Sequence, residues 1–139
     1  MTFCIITRTH KTDTIQIIKD DIKTVFEKAG KDNYVHWIIC DTTGGVTKEE
    51  FTKFADEKTK LCFVDEKTKV PNDTFCAYNI DVLARYLMKN EDYWVYILDH
   101  DNLLKDNFPD LEQYCNEATP ILMFNIDTPR VSQDFDGTI

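Results

Sequence analysis

The sequence is short of positive charge, and it lacks phosphate-cradling glycine motifs, paired cysteines and long apolar runs; each lack removes a class of function. Sixteen Lys and Arg stand against 25 Asp and Glu in 139 residues, a formal net charge of −9. That balance argues against a nucleic-acid backbone or an anionic membrane surface as partner. An anionic substrate would need local compensation, from a metal ion or a few basic side chains. Neither G-x-G-x-x-G nor the P-loop pattern with its lysine occurs, so Gly44 and Gly45 mark a flexible loop. The five cysteines, Cys4, Cys40, Cys62, Cys76 and Cys115, are odd in number and mostly embedded in apolar runs. They match neither a disulfide framework nor a C-x-x-C zinc site, and reduced, buried thiols in a cytoplasmic protein are expected. No run reaches the length of a membrane span or a signal-peptide core, so no membrane anchor is expected. Repeats and low-complexity segments are missing too.

What is present is a single domain's worth of apolar sequence, 42% of the chain, enough for a sheet covered on both faces. Residues 1–128 are read as the domain and 129–139 as a C-terminal tail. Residues 3–7, FCIIT, form a first strand. Thr12 or Asp13 then caps a helix running to about Lys28, with Ile15, Ile18, Ile22, Val25 and Phe26 on one face and Gly30 as its stop. Residues 34–40, YVHWIIC, form a second buried strand. Thr47 and Glu50 have capping-box spacing for a helix over 48–57. A short strand at 61–64 is followed by a polar loop over 65–74. A helix opened by Asn79 turns Ile80, Leu83, Ala84 and Leu87 inward, and it feeds residues 93–102, YWVYILDHDN. One or two helical turns near 111–115 precede a last apolar run, ILMFNI, at 121–126. Such alternation predicts an α/β fold, a mostly parallel, doubly wound sheet with helices on both faces.

The run at 93–102 organises the rest. Its β-formers lack strict alternation, which predicts a central strand covered on both faces. It ends in Asp99 and Asp101. In open α/β sheets ligands bind at the carboxyl ends of strands, and paired carboxylates there suit Mg²⁺ or Mn²⁺ and, through the cation, phosphate oxygens. A bare D-x-D also serves simply to end a strand and cap the next helix. Arg8 and Asp41 fall at strand ends on the same rim. Arg8 equally suits a surface ion pair, Asp41 a turn before the glycines, and Asn79 a helix cap. His36 and Trp37 read as strand residues in or beside the core, whereas His10 and His100 sit in strand-end loops.

Four segments in order, CIITRTHKTD, VHWIICDTT, YNIDVLARYL and YILDHDNLL, resemble the nucleotide-sugar-binding half of GT-A fold glycosyltransferases, with the β-1,3-glucuronyltransferases as the nearest pattern. The resemblance implies a Rossmann-like nucleotide-binding half. It implies that Asp41 receives the uracil or a nearby part of the nucleotide, with Thr7 and Arg8 beside base and phosphates and Asn79 close to the diphosphate. Asp99 would contact ribose or metal, and Asp101 would hold Mn²⁺ or Mg²⁺ bridging the phosphates, where negative charge develops as the glycosidic bond breaks. Tyr78 departs from the pattern, which has arginine there, and the region that binds acceptor and supplies a catalytic base has no counterpart in the chain. The DFDGTI at 134–139 resembles a haloacid dehalogenase nucleophile motif but follows polar residues instead of an apolar strand, and is read as coincidence.

The expectation is therefore a metal-dependent glycosyltransferase moving a sugar from a UDP-sugar to an acceptor hydroxyl on a carbohydrate or glycan, with a homo-oligomer completing the acceptor side. A nucleotide-sugar-binding module without transfer is the first alternative. A phosphotransfer or receiver-like domain is the second, although the acidic pair it needs after the first strand is missing.

Overall fold

The computed structural model describes residues 1–118; the apolar run at 121–126 and the motif at 134–139 lie outside the described residues. Four strands, β1 (Thr2–Thr9), β2 (Tyr34–Asp41), β3 (Thr59–Val64) and β4 (Tyr93–Ile97), pair in the order β3-β2-β1-β4, all parallel. Helices α1 (Ile15–Lys28), α2 (Lys48–Thr52) and α3 (Ala77–Met88) make the three crossovers. From β1 to β3 the chain steps one way across the sheet, then returns over β2 and β1 to reach β4. Right-handed crossovers therefore put α1 and α2 on one face and α3 on the other.

The core follows that division. Phe3 and Ile5 of β1 pack against Ile18, Ile22, Val25 and Phe26 of α1, while Ile38 and Cys40 of β2 meet Ile15, Phe51 and Phe54. On the other face Cys4, Ile6, Ile39 and Val64 meet Leu83 and Leu87 of α3. With both faces covered, β1 has no polar side to alternate with, which is why FCII is apolar throughout. All five cysteines are free. Burial pushes the Cys4 thiol up to about 11 and Cys40 to about 12, so neither is a nucleophile at neutral pH. No described helix is long and apolar enough to cross a membrane.

Three local expectations are corrected. In the described sheet β4 pairs only with β1 and stands at the edge, with no residue of the strand fully buried and Ile97 exposed. A later segment covers part of it instead: Tyr96 meets Phe108 edge to face, with ring centroids 4.9 Å apart. α2 stops at Thr52 because the Asp56 carboxylate takes the Lys58 and Thr59 backbone N–H groups at 2.9 and 2.8 Å, turning the chain into β3. α3 starts two residues before Asn79 because Asp73, not Asn79, accepts the free N–H groups of Ala77 and Tyr78 at 2.9 and 3.0 Å.

The stop after α1 is as expected. Gly30 lies at φ +67°, its N–H bonds Glu27 O, and the Lys31 N–H returns to Phe26 O, a Schellman closure. A Cβ at Gly30 would meet nothing within 4 Å, so Gly30→Ala carries only the left-handed backbone penalty. A loss of about 1 kcal/mol is expected in urea denaturation, and a neutral result would place the strain elsewhere.

Candidate functional site

A parallel sheet ordered 3-2-1-4 has its topological switch point between β1 and β4, and the crevice there opens at the strands' carboxyl ends. The loops leaving β1 and β4 meet across it. His10 and His100 stack edge to face, ring centroids 6.2 Å apart, and His10 also lies against Gly44 from the loop after β2. Burial, then the charges of Arg8, Lys11 and His100, lower the His10 pKa, opposed only by Asp41.

On the α3 side of this rim, Asp41 anchors a charge cluster. The residue is 1% exposed. Its Oδ2 accepts from Lys69 Nζ at 2.7 Å and from the Cys76 thiol at 3.6 Å, and faces an Arg8 guanidinium nitrogen at 3.6 Å. Its Oδ1 accepts from the backbone N–H and hydroxyl of Thr43, at 3.0 and 2.6 Å. Burial alone would raise this carboxyl; the hydrogen bonds from Lys69 and Thr43, with the Lys69 charge, outweigh it and hold the pKa at about 2. Arg8 donates to Thr74 O at 2.8 Å and lies over the Phe75 ring at 5.4 Å, leaving its buried Nε unpartnered. Asn79 Nδ2 donates to Thr68 O at 3.4 Å, and its Oδ1 is buried without a partner. The loop between β3 and α3 is thus latched to the rim at Lys69, Thr74 and Phe75, and to α3 at Thr68.

The expected site residues divide into three places. Arg8 and Asp41 belong to the latched cluster, and Asn79, in the first turn of α3, bonds its loop at Thr68. Thr7 does not join them: adjacent strand residues point to opposite faces, and its hydroxyl is buried under α1, 2.8 Å from His36 Nε2. Asp99 and Asp101 lie on the turn after β4, both exposed, and no hydrogen bond or ion pair engages either carboxylate among the described residues. Lys69 was invisible in the sequence. It lies in a polar loop, 28 residues from Asp41, and no local pattern announces so long a reach.

Among the described residues no three His, Cys, Asp or Glu side chains converge to hold a metal. Two exposed carboxylates still fit Mg²⁺ or Mn²⁺, which commonly take one or two protein carboxylates and fill their remaining positions with water and phosphate oxygens. A cleft of about 400 Å³ exists at the other end of the sheet, lined by Lys19, His36, Asp56 and Lys58 among others. Two of its lysines are already engaged: Lys19 bonds Asp56 and Phe54 O, each at 2.7 Å, and Lys58 bonds Tyr34 O at 3.2 Å. The rim, with open carboxylates, is the better candidate.

Fold and rim together define the class, a Rossmann-like doubly wound α/β domain with its crevice between β1 and β4. No protein-family model, curated protein or solved structure matches the chain.

Proposed function

We propose that the rim is the donor site of a metal-dependent glycosyltransferase of the GT-A type, binding a UDP-sugar. The observation that carries this reading is the pair of exposed carboxylates, Asp99 and Asp101, at the topological switch point, neither engaged among the described residues. A divalent cation held by them would neutralise the diphosphate leaving group as the glycosidic bond to the donor breaks. The chain's own contribution is charge and position. Arg8 and Lys69 carry two positive charges against the one negative charge of Asp41, which is the local compensation an acidic protein needs beside a diphosphate. Asp41, buried and saturated with donors, acts on this reading by fixing Arg8 and Lys69. A direct contact from Asp41 to the base requires the loop carrying Lys69 to open. None of these roles is that of a catalytic base, so a binding module without transfer stands as the second reading.

Calorimetric titration of UDP, UDP-glucose, UDP-galactose, UDP-glucuronic acid and GDP-mannose, with Mn²⁺ and with chelator, tests the proposal. Binding of the uridine class that needs Mn²⁺ is expected, weakened at least about tenfold in Asp101→Ala. If no nucleotide binds with metal, the donor-site reading fails. If binding occurs but no UDP is released with any acceptor, the binding module replaces the enzyme.

A further inference from the structure

We infer that the outer face of α3 is a self-association surface, on which a second copy of this chain lays its own α3 antiparallel to the first. The inference is independent of the donor-site reading. An amphipathic surface helix needs one apolar face, but α3 has two. Leu83 and Leu87, with Ile80 and Ala84, turn into the sheet. Tyr78, Val82 and Tyr86 recur at i, i+4 and i+8 on the other side, 58%, 49% and 67% exposed. Residues at that spacing form a continuous ridge. Phe75, just before the helix, is 69% exposed as well. Single exposed apolar residues are ordinary, whereas a contiguous aromatic stripe marks a contact surface.

The symmetry of the ridge names its occupant. Tyr78 and Tyr86 each stand four residues from Val82. A twofold axis at Val82 therefore sets Val82 against its own copy and Tyr78 against Tyr86 of the other protomer, the self-complementarity that an isologous interface requires. Charge agrees with this. Asp81 and Arg85 flank the ridge on one side and pair at 2.9 Å within the helix, both largely exposed. Because a perpendicular twofold keeps each flank on its own side, Asp81 of one copy comes beside Arg85 of the other, and opposite charges face each other along the border. The rival occupant within the chain is the segment 119–139. The described chain heads toward it from the opposite face of the sheet, where Phe108 and Cys115 pack with Phe3 and Phe26 under α1.

Sedimentation velocity of the full chain over a dilution series tests the inference. A species of twice 16.3 kDa is expected in the wild type. Val82→Glu, which sets two carboxylates together on the axis, is expected to sediment as a monomer with an unchanged far-ultraviolet spectrum. Asp81→Arg is expected to weaken association more than about tenfold by facing like charges, and Asp81→Arg with Arg85→Asp to restore it. A wild type monomeric at every concentration overturns the proposal, as does a dimer indifferent to Val82→Glu. A monomeric wild type that Val82→Glu destabilises also overturns it, and gives the ridge to residues 119–139.

Discussion

Asp41→Ala is expected to cost about 3 to 5 kcal/mol of stability, the usual penalty for removing one partner of a buried charge cluster. The carboxylate accepts from Lys69, Cys76 and both donors of Thr43, and it faces Arg8. Without it, Lys69 can swing outward, since a quarter of its side chain is already exposed (24%). Arg8 cannot, because its side chain is 9% exposed under the Phe75 ring, so a guanidinium is stranded without its counter-ion. Lys69→Met, which leaves Arg8 and Asp41 facing each other, is expected to cost only about 1 kcal/mol. Urea denaturation of the two variants beside wild type measures the difference. Equal costs would show that Asp41 does not hold Arg8. The acid limb gives a second reading of the same carboxylate. Its pKa is about 2 folded against 3.8 ordinarily, so its contribution is complete above 3.8 and disappears as pH falls from there through 2, a loss of about 2 kcal/mol. For function the consequence is practical. Loss of donor binding in Asp41→Ala would not distinguish a missing contact from a collapsed rim, and Lys69→Met is the variant that probes the site with the fold intact.

The larger elements were legible because their burial is periodic. Ile15, Ile18, Ile22, Val25 and Phe26 recur at helical spacing and are all buried in α1, and the apolar runs at 3–7 and 34–40 lie within β1 and β2. Alternation of strand and helix then implied the parallel sheet. The position of β4 at the described edge was not legible, since an apolar edge strand covered by a later segment and a central strand covered by neighbours read alike. Helix limits failed where a side chain decided them. Asp56 and Asp73 each capture two backbone N–H groups, and an aspartate in a polar stretch does not reveal which amides it will take. Of the site, the carboxylates after β4 and the strand-end positions of Arg8 and Asp41 could be read from the chain. The separation of Thr7 from Arg8 was also available, because strand parity alone divides them. Lys69 and the loop latch were not, since they depend on a long side chain crossing between segments.

Acidification is expected to remove about 3 kcal/mol of stability between pH 6.5 and 4 through His36. The imidazole is 2% exposed between the sheet and α1, its Nε2 shares a bond with Thr7 Oγ1, and its Nδ1 has no partner. Burial, and secondarily the Lys19 charge, push its pKa down from 6.5 to about 4, with Asp56 opposing. The folded protein therefore keeps the ring neutral while the unfolded chain protonates it. More protons on the unfolded state mean that stability rises with pH, so the contribution is whole above 6.5, falls as pH drops, and is exhausted below about 4. His10, lowered for related reasons, acts in the same direction, so the slope will not vanish when His36 is removed. His36→Gln keeps an amide for the Thr7 hydroxyl and removes the titration. Its urea-derived stability, measured at intervals from pH 7 to 4, should fall less steeply than wild type by about 3 kcal/mol over the window, whatever the offset between the two curves at pH 7. Parallel curves would mean that His36 binds its proton in the fold, and that water or Asp56 reaches the ring beneath α1. Because this window closes where that of Asp41 opens, the two residues are separable in one acid titration: His36 loses its share first, and Asp41 loses its share only below pH 3.8.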